Sequence, residues 1–85
     1  MDISRAEQRI LHLLAQGGRI ELIRDDNRKI AGIKLITREG WLFSDLDLET
    51  FRKLKRKRAI RSSQGQPYMV TRRGLELVRA QLNNR

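Results

Sequence analysis

Apolar and polar positions change their rhythm several times along the 85 residues, and each change predicts an element. From residue 5 to 16 the apolar positions recur at helical spacing, with Ala6, Ile10, Leu13 and Leu14 on one side, Leu11 at the flank and His12 nearly opposite. Ser4 precedes Glu7 by three residues, the capping-box spacing, and Gly17 offers a left-handed stop. A helix over 5–16 follows. Between residues 19 and 37 two segments rich in β-branched residues flank Asp25-Asp26-Asn27-Arg28, which suits a turn, so a hairpin is expected. Arg38-Glu39-Gly40 breaks that pattern. Trp41-Leu42-Phe43 then reads as a short strand, 41–43, that sends Trp41 and Phe43 into the core, the alternative being that Trp41 is a binding anchor.

A second helix is expected over 47–57, capped by Asp45 or Asp47, with Leu48, Phe51 and Leu54 as its buried stripe. Two short strands around Ser63-Gln64-Gly65-Gln66 form a second hairpin, 59–71, with Gly65 supplying a positive φ. Thr71 caps a last helix over 72–82, in which Leu75, Val78 and Leu82 make the stripe. Leu77 points away from it, toward another element or a contact surface. The fold class is therefore α+β in one domain, 1–85. A chain of this length buries only about 60–65% of its unfolded surface, so its stability margin is small.

Composition narrows the chemistry. No cysteine is present and His12 is the only histidine, so neither a disulfide framework nor a thiolate zinc site is available, and no metal or other cofactor is expected. His12 reads as a solvated surface residue. The first residues lack the apolar stretch of a signal peptide, and no run approaches 18 apolar residues, which fits a soluble cytoplasmic protein.

Charge is unevenly placed. Residues 51–85 carry eleven Lys and Arg against one acid, residues 1–50 eight against nine, so the formal charge of +9 comes from the C-terminal 35 residues. Its densest part is Arg52-Lys53-Leu54-Lys55-Arg56-Lys57-Arg58. With Phe51 as origin, Arg52, Lys53, Arg56 and Lys57 fall between roughly 100° and 240° on the helical wheel, opposite the stripe. Lys55 and Arg58 fall nearer the apolar side, where long cations snorkel along it or the helix is ending. Four cations on one face, with no acid between residues 52 and 75, form a local positive potential suited to a polyanion or an acidic protein surface.

The order basic helix, strand, glycine-containing tip, strand, helix resembles the C-terminal half of winged-helix domains, and Tyr68-Met69-Val70-Thr71-Arg72-Arg73-Gly74-Leu75-Glu76-Leu77-Val78 resembles the wing strand running into the last helix. A fuller resemblance rests on Ser4-Arg5-Ala6-Glu7-Gln8 with Leu11-His12, Arg38-Glu39-Gly40, Phe51-Arg52-Lys53-Leu54-Lys55, Gly65-Gln66-Pro67-Tyr68 and Val78-Arg79-Ala80-Gln81-Leu82-Asn83-Asn84-Arg85. These segments, in this order, resemble the YjhX-like family of small bacterial proteins. The resemblance implies a toxin component that binds and inhibits DNA topoisomerase I and is paired with an antitoxin resembling a GNAT acetyltransferase.

Two functional classes stay open. In the first, the chain is a non-enzymatic inhibitor whose basic helix face docks on topoisomerase I. In the second, it is a small winged-helix DNA-binding transcriptional regulator in which Arg52, Lys53, Arg56 and Lys57 meet the groove while Arg61, Gln64 and Gln66 extend contact through the wing. An open edge of the 19–37 hairpin would also allow a homodimer. Enzymatic chemistry is the weakest class. Ser62, Ser63 and Thr71 have no local histidine, and Asp25, Asp26, Asp45 and Asp47 read as turn and cap residues. Only a small ribonuclease using His12 with arginines is left open. The stripe on the second helix is checked by Leu54→Asp, which should unfold the domain by burying an unpaired carboxylate; a folded variant in far-ultraviolet circular dichroism would show that Leu54 is not a core residue.

Overall fold

The computed structural model describes residues 3–83. Its elements run α1 (Arg5–Ala15), β1 (Arg19–Arg24), β2 (Ile30–Ile36), β3 (Leu42–Phe43), α2 (Leu48–Arg56), β4 (Ile60–Arg61), β5 (Met69–Val70) and α3 (Arg72–Asn83). This is a mixed α+β fold, with one antiparallel sheet in the order β1-β2-β3 and a second formed by β4 and β5. The expected element order holds, with boundaries moved by a residue or so where a cap stands outside its helix.

The caps explain the boundaries. Ser4 Oγ accepts from the Glu7 amide at 3.1 Å while Glu7 Oε1 accepts from the Ser4 amide at 2.8 Å, so the capping box forms. Asp47 Oδ1 accepts from the Thr50 amide at 2.7 Å to open α2, and Thr71 Oγ1 accepts from the Gly74 amide at 3.0 Å to open α3. In the first hairpin Asp25 Oδ1 receives the amides of Asn27 and Lys29 at 2.8 and 2.9 Å, holding the turn that lets Ile20 pair with Leu35 and Leu22 with Ile33.

Ile20 and Leu35 are fully buried, and they meet Ile10, Leu11, Leu14, Phe51, Leu54, Ala59, Ile60, Leu77 and Val78 in one core. Each fully buried Leu, Ile or Phe contributes about 1.5–3 kcal/mol by leaving water. On the other side of the sheet Glu21 faces Lys34, 3.8 Å apart. The two sheets are joined at one point, where the Ile20 amide donates to the Tyr68 carbonyl at 3.0 Å and the Tyr68 amide donates to the Ile20 carbonyl at 2.8 Å. Tyr68 is thereby diverted from the β4–β5 ladder, which explains why the expected 59–71 hairpin pairs only Ile60 with Val70 and Arg61 with Met69.

Three expectations about packing are corrected. Trp41 is 74% exposed and only Phe43 packs on the core, because Trp41 lies in the Thr37–Trp41 turn beyond the last ladder pair, Ile36 with Leu42. On α1 the buried positions are Glu7, Ile10, Leu11 and Leu14, so Ala6 faces solvent and Leu11 is central rather than lateral. On α3 the buried positions are Gly74, Leu77 and Val78. Leu77 is therefore core, so that of its two expected roles it packs on another element, while it belongs to the buried stripe rather than lying off it. Leu75 is half-buried, and the expected burial of Leu82 lies outside the described residues. The reason is a close approach: a methyl group at Gly74 would overlap the Ala59 carbonyl oxygen and Val70 Cγ2, so α3 sits with its bare backbone against the chain that follows α2.

Helices α1 and α2 end with the same hydrogen bonds. After α1 the Gly17 amide reaches the Leu14 carbonyl at 3.0 Å and the Gly18 amide the Leu13 carbonyl at 3.1 Å. After α2 the Arg58 amide reaches Lys55 at 2.9 Å and the Ala59 amide reaches Leu54 at 3.0 Å. Both are Schellman motifs, whose pivot takes a left-handed conformation suited to glycine. Gly17 fills the first with φ 110°, but Arg58 fills the second with φ 58°. Because a side chain there crowds the following carbonyl, Arg58→Gly is expected to stabilise the domain by about 1 kcal/mol and to raise Tm by roughly 4–8 °C, as read by thermal melting; an unchanged or lower Tm would show that Arg58 carries no conformational cost.

Candidate functional site

Helix α2 presents two differently built cationic surfaces, because its core-facing residues Phe51 and Leu54 fix its rotation. On the outer face Arg52, Lys53 and Arg56 are exposed. Lys53 lies 3.4 Å from Glu49 one turn earlier, while no described acid lies within ion-pair distance of Arg52 or Arg56. Lys53, Lys55 and Arg56 occupy the last turn of α2, where the negative end of the helix dipole favours cations.

Lys57, expected on this outer face, is turned inward. Its Nζ lies 2.7 Å from Glu7 Oε2, with the two side chains 21% and 4% exposed. The same carboxylate caps α1 through its other oxygen, so one buried acid links the start of α1 to the end of α2. Burial pushes the Glu7 carboxyl up, but the hydrogen bonds from Lys57 and Ser4, together with the Lys57 charge, outweigh it and hold the group below its ordinary value of 4.5.

The second cationic surface is a cleft of about 400 Å³ between the end of α2, β4 and the start of α3. Lys55, Arg58, Arg61, Arg72 and Arg73 line it, with Ile60 and Thr71, and no acid does. Arg61 thus joins Lys55 and Arg58 rather than Arg52, Lys53 and Arg56, none of which lines the cleft. Gln64 and Gln66 are exposed in the loop between β4 and β5, where Gly65 takes its positive φ of 77° and the Gln66 amide donates to the Ser63 carbonyl at 3.0 Å. Sequence reasoning placed Lys55 and Arg58 near the apolar side of α2 or where the helix is ending, as it does before Arg58, and assigned Arg72 and Arg73 no role. The available signal was the absence of any acid in the first turn of α3, where two arginines stand at the positive end of a helix.

A second cleft, of about 330 Å³, runs between β1 and the 62–68 loop and is lined in part by Glu21, Arg24, Gln66 and Tyr68. Among the described residues no group of three or more His, Cys, Asp or Glu gathers to hold a metal ion. His12 is exposed, with Nε2 3.3 Å from Gln16 Nε2. No described helix is long and apolar enough to cross a membrane.

Residues 1–85, the whole chain, match the YjhX toxin family, described as "Putative toxin of bacterial toxin-antitoxin pair". The chain belongs to this family. It is 75% identical to a UPF0386 protein of Agrobacterium fabrum and 68% identical to one of Rhizobium etli, each over 85 residues and the full length of both chains. A UPF0386 protein of Hyphomonas neptunium is 62% identical over 84 residues, covering 99% of each chain. No solved structure matches. Family membership pairs the chain with an antitoxin partner.

The Glu7–Lys57 pair makes stability depend on acid. The folded carboxyl titrates below its unfolded value, so its contribution is complete above about pH 4.5 and is lost as pH falls through the lower folded value. Lys57→Ala should cost about 3 kcal/mol at neutral pH by leaving a buried charge unpaired. Glu7→Gln should remove part of the acid-dependent loss, leaving that of Asp47, whose carboxyl is likewise held low by its hydrogen bonds to Thr50. Thermal melts between neutral and acid pH check this, and equal acid slopes for wild type and Glu7→Gln would remove Glu7 as the source.

Proposed function

We propose that the protein is a non-enzymatic toxin that binds and inhibits bacterial DNA topoisomerase I in the cytoplasm, with Arg52, Lys53 and Arg56 as the docking face. The observation that carries this reading is the outer surface of α2, where two arginines one turn apart meet no described acid while the opposite side of the helix is fixed in the core. Cations anchored on a rigid helix suit an acidic protein surface, and complementary charge raises association rate more than final affinity. The family match supports the toxin role, and the resemblance described above is the ground for topoisomerase I as the proposed target. The same resemblance makes a GNAT-like protein the proposed antitoxin. Non-enzymatic action is favoured because the hydroxyls of Ser62 and Thr71 are engaged with the carbonyls of Gln66 and Arg58, with no histidine beside them.

A second reading, a small winged-helix DNA-binding regulator, is favoured by the order α2, β4, β5, α3 and by the exposure of Arg61, Gln64 and Gln66 around the hairpin. It requires direct binding to duplex DNA, weakening steeply with salt.

A supercoil-relaxation assay run beside direct binding of the protein to purified topoisomerase I in the absence of DNA separates the two. Arg52→Glu, Lys53→Glu and Arg56→Glu together should abolish inhibition while the domain stays folded, with the changes at Lys53 and Arg56 each costing about 0.3–1 kcal/mol for an acid at the negative end of α2, Lys57 being left in place to hold Glu7. Wild-type potency in that variant would exclude the outer face of α2, and wild-type protein that leaves relaxation untouched would exclude the inhibitor reading.

A further inference from the structure

We propose that the cleft formed by Lys55, Arg58, Arg61, Arg72 and Arg73 binds the phosphodiester backbone of a nucleic acid, through residues separate from those of the docking face on α2. Five cations converge on a cleft of about 400 Å³ whose lining includes no acid. Among the described residues, Arg58, Arg61 and Arg72 have no ion-pair partner, and Arg73 has only Glu76, 3.9 Å away on its own helix. Four of the five are arginines, whose planar guanidinium forks match phosphate oxygens two at a time.

The cations are held, and held at a cost. Arg58 occupies a left-handed position that glycine fills at the end of α1. Its backbone is clamped there, because Thr71 Oγ1 donates to the Arg58 carbonyl at 2.6 Å and the Thr71 amide donates to the Ala59 carbonyl at 2.9 Å. Arg72 and Arg73 stand in the first turn of α3, where the helix dipole repels cations. The Lys55 ammonium lies 5.6 Å from the ring centroids of both Phe51 and Tyr68, which pack edge to face 5.0 Å apart. Backbone strain, an adverse dipole and mutual repulsion all meet in this cleft, and a phosphate between the cations relieves the electrostatic part while adding the free amides at the start of α3. Contacts of this kind read the backbone and carry no base sequence.

The test is fluorescence anisotropy of a labelled single-stranded oligonucleotide and its duplex, titrated at several salt concentrations with no topoisomerase present. With five phosphate contacts the slope of log K against log salt should be about −3.5 for the single strand and −4.5 for the duplex. Arg58→Gly with Arg72→Ala should weaken binding at least about tenfold and flatten the slope by about one per arginine removed, while thermal melting shows a fold at least as stable as wild type. Arg52→Ala with Arg56→Ala removes the same charge outside the cleft and should weaken binding much less. Equal losses in the two double variants would overturn the proposal in favour of diffuse attraction. So would a wild-type protein that leaves both oligonucleotides unbound, inorganic phosphate displacing them at equimolar concentration, or polyglutamate of matched charge binding as tightly. None of these results bears on Arg52, Lys53 and Arg56 as the docking face for topoisomerase I.

Discussion

The arrangement of the helices depends on one buried carboxylate. Glu7 spends one oxygen on the Ser4 amide and the other on Lys57, fifty residues away, so the first turn of α1 and the C-cap of α2 are held to the same group. An ion pair so little exposed adds modestly to stability when complete, because desolvation offsets most of its attraction, but it penalises any geometry in which either partner is left alone. What it specifies is rotation and register. With Lys57 drawn inward and Phe51 and Leu54 in the core, Arg52, Lys53 and Arg56 must face outward and Lys55 must face the start of α3.

The end of α2 shows a different balance. Its Schellman turn is built around Arg58, and the chain that follows is gripped by α3 through Thr71 and through the bare backbone of Gly74. A single methyl at Gly74 would push α3 off the Ala59 carbonyl and widen the cationic cleft. Close packing therefore sets the spacing of the cations, and the cations work against that packing by repelling one another. A domain of this size has little stability to spare, so charges concentrated where packing is tightest are more informative about function than the same charges on a free helix face.

Element order was legible in the chain because its helix ends are locally encoded: Ser4 with Glu7, Asp47 and Thr71 at the starts, Gly17 at the first stop. Helix rotation was less legible, for one reason seen twice. Both α1 and α3 bury a stripe at spacing i, i+3, i+4, and in each case the first member is not a hydrophobic residue, being Glu7 in one and Gly74 in the other. A wheel that counts only apolar side chains slides past such positions, so Ala6 entered the stripe and Leu77 left it. Trp41 failed differently. Its aromatic bulk argued for the core, but a two-residue strand ends before it reaches Trp41, and depth in a small sheet is set by the ladder rather than by side-chain size. For the candidate site, the outer face of α2 was legible from the wheel except for Lys57, whose partner is far away in sequence. The cleft was not legible, since it joins the end of one helix to the start of another across a hairpin whose pairing depends on Tyr68.

Two cationic surfaces on one short helix cannot act independently. The nine residues of α2 span only about 13 Å, less than two screening lengths of about 8 Å at physiological salt, so the coupling is weak there and grows as salt is lowered. Anion bound in the cleft therefore lowers the positive potential felt at Arg52 and Arg56, and an acidic partner on that outer face lowers the potential in the cleft. Whatever binds one surface weakens the other by the same factor, since coupling between sites is reciprocal. The sign of this coupling follows from like charges alone and needs no conformational change. A toxin so built would hold nucleic acid more loosely once its outer face is occupied, and added salt would erase the coupling before it erased either contact, because the long-range term is screened first.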